Sequence, residues 1–181
     1  MIFLDTETTG LLEPEANDLN MQPYIIELYM VKLEWDGDGF SFIKEFHSLF
    51  CPPVPLDPII TKITSITPEM LVGQPTFASK YGEIADFFLG EDTMVGHNLS
   101  FDAGMLWTEL ARLQCEIKFP WPRHHHCTVE LSLPVEHHRL KLKDLYEKAT
   151  GKTHDDAHRA KGDVLATIAG YEWLIKEGYI H

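Results

Sequence analysis

The sequence predicts an α/β protein, a mixed β-sheet flanked by helices, and three observations carry that reading. Apolar runs of strand character fill the first 50 residues, helical periodicity takes over further on, and a short strand-like run is interleaved among the helices. Met1 to Leu4 is a short apolar run that enters Asp5-Thr-Glu-Thr-Thr-Gly10 and reads as a first strand ending in a turn. Leu11 to Gln22 mixes acids, Asn and Pro and reads as a loop. Tyr24 to Trp35 is a second strand and Phe40 to Phe50 a third. Asp36-Gly-Asp-Gly39 between them supplies the positive-φ residues of a hairpin, so the three strands form a meander. Cys51-Pro-Pro-Val-Pro-Leu-Asp-Pro58 lacks the donors for a ladder and is an extended connector.

Helical signals follow. Thr67-Pro68-Glu69 has the form of an N-cap, a first-position proline and a first-turn acid. Thr76 caps a clearer helix whose Phe77, Tyr81, Ile84 and Phe88 share one face, with Gly90 at the stop; this aromatic stripe is a core face. Thr93 to His97 is the interleaved strand, and Asn98 to Asp102 leads into a helix bearing Met105, Leu106, Leu110 and Leu113. Cys115 to His138 is the least regular section, with a strand expected over Thr128 to Leu133. Its run His124-His-His126 beside Cys127 lacks paired zinc-ligand spacing, and consecutive histidines do not all face one ion, so a solvated loop is expected there. Leu140 to Thr150 is an amphipathic helix closed by Gly151. The last helix carries Val164, Ile168, Tyr171 and Ile175 and stops at Gly178.

A chain of 181 residues with 44% hydrophobic content fits one domain, residues 1–181, with a substantial core. No apolar run approaches membrane-spanning length and the start lacks a signal-peptide pattern, so a cytoplasmic protein with no membrane association is expected. Three cysteines without CxxC spacing fit reduced thiols. The formal charge of −13 argues against a long track along duplex phosphate; contact with nucleic acid would be short, local and metal-assisted.

The chemistry gathers at the ends of regular elements. Asp5 and Glu7 lie two apart on a strand and project to one face, where two like charges raise each other's pKa unless a cation joins them. Asp102 stands at a helix entrance and Asp163 at the start of the last helix. Folded together, the four carboxylates would suit two hard divalent ions, Mg²⁺ or Mn²⁺, of the kind that serve phosphoryl transfer. His158 is suited to take a proton from water near neutral pH, provided that it lies on the loop before the helix. The spacing HxxxxD occurs twice, as His97 with Asp102 and as His158 with Asp163, and composition alone would generate such a spacing; context has to separate the two.

Asp5-Thr-Glu-Thr-Thr-Gly10, His97-Asn-Leu-Ser-Phe-Asp102 and His158-Arg-Ala-Lys-Gly-Asp163, in that order, resemble the three motifs of the DEDDh exonuclease superfamily. The likeness is greatest to the proofreading epsilon subunits of bacterial replicative DNA polymerases. It implies a ribonuclease H-like fold and 3′→5′ removal of nucleoside monophosphates from single-stranded or frayed DNA. It also implies Asp5, Glu7, Asp102 and Asp163 as ligands of two metal ions, and His158 as general base. Thr6 and Thr8 would lie beside the terminal nucleotide, with Asn98 and Phe101 lining the pocket. Thr64-Ser-Ile-Thr67 stands where family members often carry His-Gly-Ile-Thr, leaving Ile66 as the residue expected to wedge against a base. An RNA substrate stays open, because nothing in the sequence reads a 2′-hydroxyl. So does the choice between a polymerase partner and a free-standing enzyme.

Overall fold

The computed structural model describes residues 1–15, 18–154 and 159–180. Strand β1 (Ile2–Thr8) pairs antiparallel with β2 (Ile25–Trp35), and β2 pairs antiparallel with β3 (Phe40–Leu49), so the expected meander is present. Gly37, at φ 103°, makes the turn between β2 and β3 in a conformation that other residues adopt only with strain. Two one-sided helices follow, α1 (Pro58–Thr64) and α2 (Pro68–Leu71), then α3 (Phe77–Phe88), whose N-cap Thr76 accepts from the Ser79 N–H. Strand β4 (Thr93–Gly96) leads into α4 (Leu99–Arg112), and β5 (His124–Cys127) pairs parallel with β4. After the short α5 (Thr128–Leu131) and α6 (Leu133–Glu136) come α7 (Leu142–Thr150) and α8 (Ala160–Lys176). The sheet order is β3-β2-β1-β4-β5, antiparallel on one side of β1 and parallel on the other.

Alternation along β1 divides the protein into layers. Ile2 and Leu4 pack into a core with Ile84, Phe87 and Phe88 of α3 and Met105, Leu106 and Leu110 of α4. Phe3 points the other way, to Tyr29, Val31 and Val95 of the sheet and Val164 and Tyr171 of α8. Each fully buried large side chain contributes about 1.5–3 kcal/mol, so both faces hold β1 centrally in the sheet. α7 closes on α8 through Leu145, and a Cβ at Gly170 would come 2.7 Å from two Leu145 carbons. That close approach is what glycine permits there.

Two local expectations are corrected. The histidine run is not a solvated loop: His124 to Cys127 forms the sheet-edge strand β5, held by backbone pairing with Thr93 to Gly96, while His124 and His125 stay exposed. The strand expected over Thr128 to Leu133 is instead helical. Thr128 is fully buried, its carbonyl accepts from the Ser132 N–H, and Pro134 opens α6, so the alternating apolar residues belong to short helical turns.

Candidate active site

The site lies where β1 outruns its parallel neighbour. The β1–β4 pairing covers only Ile2 and Phe3, so the backbone of β1 beyond that point faces α4 rather than a strand. A buried N–H there requires a partner. Asp102, in the first turn of α4, provides one: its Oδ1 accepts from the Thr6 N–H at 2.9 Å and from Thr6 Oγ1 at 2.7 Å. Asp102 is 2% exposed. The turn that delivers α4 is tight, with Asn98 left-handed at φ 66° and Gly96 so close that a Cβ would sit 3.3 Å from the Leu4 carbonyl oxygen.

Asp5 and Glu7 lie on the opposite face of β1 from Thr6, and Asp163 reaches them from the first turn of α8. One carboxylate oxygen from each of the three lies within 4.8 Å of the others. Burial pushes the Asp5 carboxyl well above its usual value, and the neighbouring Asp102, Asp163, Glu7 and Glu27 push it further. Glu7 is raised to about 8, first by burial and then by Asp163, Glu27 and Asp102, with Arg159 opposing. Asp102 is raised to about 7 by burial, against the hydrogen bonds from Thr6. A fold that gathers acids at this cost suits a hard divalent ion, whose charge removes the repulsion.

The structure thus brings three of the four expected metal ligands into one group. Asp102 lies near enough to raise Asp5, yet its Oδ1 is taken by Thr6. The expected general base, His158, lies outside the described residues. Its competitor His97 donates or accepts through Nδ1 with Thr128 Oγ1 at 2.9 Å, and burial lowers its pKa to about 4. His97 is therefore neutral at working pH and locked to α5.

The expected substrate residues divide. Thr6 is buried and committed to Asp102, and Thr8 is buried and donates to the Gly10 carbonyl at 2.7 Å, so both hydroxyls serve the protein itself. Ile66 is a correction: it is 0% exposed, packed with Ile26 and Leu71 beneath α1, and has no surface to turn toward a base. Asn98 is exposed, and Phe101 is half-buried against the α3–α4 core.

Two histidines and an ion pair adjoin the site without any motif in the sequence to mark them. His154 Nε2 lies 2.7 Å from Asp163 Oδ1, with its ring tilted over Tyr146. Glu27, Arg159 and His47 form a cluster beside Glu7. The available signal was Glu27 itself, a lone charge inside the apolar run Ile25-Ile26-Glu27-Leu28. A separate cavity, lined by Tyr24, Phe50, Pro52, Phe77, Glu109 and Arg112 among others, contains none of Asp5, Glu7, Asp102 and Asp163.

Residues 2–171 match the RNase T exonuclease family. The chain belongs to this exonuclease family. It is 32% identical over 177 residues to a PolC-type DNA polymerase III of Clostridium perfringens, matching 97% of this chain but only 11% of the polymerase. It is 30% identical over 177 residues to the DNA polymerase III subunit epsilon of Treponema pallidum, covering 94% of this chain and 74% of that subunit. The chain also superposes on a solved structure of exonuclease I with a TM-score of 0.75 at 18% identity, over 97% of this chain and 40% of that one. The mixed five-stranded sheet with its flanking helices is thus the ribonuclease H-like exonuclease fold.

Proposed function

We propose that residues 1–181 act as one exonuclease domain that removes nucleoside monophosphates from the 3′ end of single-stranded or frayed DNA. The observation that carries this reading is the group of Asp5, Glu7 and Asp163, three acids converging from β1 and α8 within 4.8 Å in a fold that belongs to the exonuclease family. Asp5, Glu7 and Asp163 would hold divalent metal, with Asp102 beside them for a second ion. Bound Mg²⁺ or Mn²⁺ supplies charge for the phosphoryl oxygens and lowers the pKa of water.

The chain's own residues do the rest. Asp102 fixes Thr6, and through it the end of β1, so that Asp5 and Glu7 keep their orientation. An imidazole nitrogen of His158 takes the proton of the attacking water, a task that suits a side chain whose unperturbed pKa of about 6.5 lies near working pH. Asn98 and Phe101 offer polar and aromatic surface beside Asp102 for the terminal sugar and base. With a net charge of −13 the enzyme grips few phosphates, which favours a short 3′ terminus over a long duplex track. Kinship with the epsilon subunit and with the PolC-type polymerase supports delivery of that terminus by a DNA polymerase.

The test compares single-stranded DNA and RNA of one sequence, labelled at the 3′ or 5′ end, with Mg²⁺, Mn²⁺ or EDTA. The expected result is immediate release of 3′-label as mononucleotide, a ladder from 5′-labelled DNA, and no cleavage in EDTA. Release of 5′-label first, or undiminished cleavage in EDTA, would refute the proposal. Preferential trimming of RNA would replace DNA as the substrate.

A further inference from the structure

Glu27 is 1% exposed, and a buried carboxylate is tolerated only when its oxygens are fully bonded. Its Oε1 accepts from Arg159 Nη2 at 2.7 Å and lies 2.8 Å from His47 Nε2. Its Oε2 accepts from Arg159 Nε at 3.0 Å and from the Ala160 N–H at 3.3 Å. Burial works to raise this carboxyl, and the bonds from Arg159 and His47 outweigh it and hold Glu27 below its ordinary value. Glu27 therefore stays charged although it is almost fully buried.

The partners of Glu27 come from separate elements, and their placement is what matters. Arg159 is the N-cap of α8 and Ala160 is its first residue, so Glu27 caps a helix to which it is not connected in sequence. The Asp163 N–H donates to the Arg159 carbonyl at 3.0 Å, which puts Asp163 one turn beyond the fork. On the sheet side, Glu27 stands directly opposite Glu7 in the β1–β2 register. His47, from the edge strand β3, braces the same oxygen and meets the Tyr29 ring edge-on. One two-pronged contact thus joins the helix that carries Asp163 to the strand pair that carries Glu7.

We propose that the Arg159–Glu27 fork, braced by His47, sets Asp163 against Asp5 and Glu7, making Arg159 and Glu27 positioning residues for metal binding. The proposal rests on the reading above that these three acids hold a divalent ion. The fork has a second effect: with donors on both oxygens, Glu27 is kept out of the ligand set even though it is an acid facing Glu7. A lysine at 159 would preserve the charge but not the planar fork that spans both oxygens.

Mn²⁺ binding by titration calorimetry, melting in EDTA and hydrolysis of a 3′-labelled strand are measured for the wild type, Arg159→Lys, Arg159→Gln and Glu27→Gln. Because losing Arg159 leaves Glu27 buried and short of donors, folding of every variant is checked by circular dichroism before the metal titration, and Arg159→Lys, which keeps the charge, carries the comparison if Arg159→Gln or Glu27→Gln does not fold. Arg159→Lys is expected to weaken Mn²⁺ binding about 10–100-fold, the range for losing a partner that orients metal ligands. Excess Mn²⁺ should recover part of its turnover, and Arg159→Gln should be weaker still. Wild-type Mn²⁺ affinity and turnover in both Arg159 variants would overturn the proposal. A lowered melting temperature in EDTA with unchanged Mn²⁺ affinity would overturn it too, leaving the fork a purely structural role. Failure of the wild type itself to bind Mn²⁺ would instead sink the reading of the site, and with it this proposal.

Discussion

Replacing Glu7 by glutamine should make the metal-free protein more stable while removing its function, and the effect should depend on pH in a defined direction. The Glu7 carboxyl moves from 4.5 in a free chain to about 8 in the folded, metal-free protein, chiefly through burial and then through Asp163 and Glu27. Below pH 4.5 both states carry the proton and Glu7 contributes nothing. Between 4.5 and 8 the unfolded chain releases a proton that the folded chain retains, so stability falls as pH rises; above 8 the whole penalty is present. At about 1.4 kcal/mol per pH unit the ceiling is on the order of 5 kcal/mol. Water and counterions around a partly exposed group reduce it, and a gain of roughly 2 kcal/mol would raise the melting temperature by about 4–8 °C in a domain of this size. The assay is thermal melting of wild type and Glu7→Gln in EDTA from pH 4.5 to 9. The curves should coincide near pH 4.5, separate progressively in favour of the variant as the pH rises, and reach their full gap above pH 8. Saturating Mn²⁺ should reverse the order, since 100 times the dissociation constant stabilises by about 2.7 kcal/mol a protein that binds it and does nothing for one that does not. A gap independent of pH, or a less stable Glu7→Gln in EDTA at pH 9, would refute the reasoning.

Four further outcomes are expected. Thr6→Val keeps the backbone bond to Asp102 but loses the 2.7 Å hydroxyl bond, leaving a buried acceptor short of a donor; urea unfolding should show a loss of about 1–3 kcal/mol, with reduced hydrolysis. His158→Ala should lower the hydrolysis rate about 10²–10⁴-fold. His97→Ala should leave most of the rate in place, because His97 is bonded to Thr128 and neutral above a pKa of about 4; single-turnover rates for the two variants decide which motif histidine acts. Gly170→Ala would drive a methyl to within 2.7 Å of Leu145; melting should report about 1–3 kcal/mol of overpacking with the rate at low temperature preserved.

Much of this fold can be read locally. The β2–β3 hairpin follows from Asp36-Gly-Asp-Gly39, α3 from Thr76 and its aromatic stripe, and α8 from the spacing of Val164, Ile168 and Tyr171, each a short-range signal that the packing agrees with. Strand β5 follows from no such signal. Three histidines are ordinary loop residues, and only backbone pairing with β4 makes them a strand. Thr128 to Leu133 shows the converse: its alternation imitates a strand, but Thr128 is buried and its carbonyl accepts from the Ser132 N–H four residues on, a helical bond. α1 was hidden by prolines, although Asp57 caps it and Pro58 starts it.

At the site, the carboxylates are legible because Asp5 and Glu7 share a strand face and Asp163 opens a helix. The duty of Asp102 to Thr6 is not, since it depends on where β4 stops relative to β1. Nor is the Arg159–Glu27 fork, which joins residues 132 apart. The place of Ile66 in its motif points to the substrate, whereas its packing with Ile26 and Leu71 beneath α1 leaves it fully buried.

The central claim is that Asp5, Glu7 and Asp163 form a divalent-metal centre at the end of β1. A crystal structure of the protein grown with Mn²⁺ and a nucleoside monophosphate, with data at the manganese absorption edge, tests it most directly. An anomalous peak bonded to oxygens of all three carboxylates is the expected result. Saturating Mn²⁺ with no peak there, or a peak held by other residues alone, would contradict it.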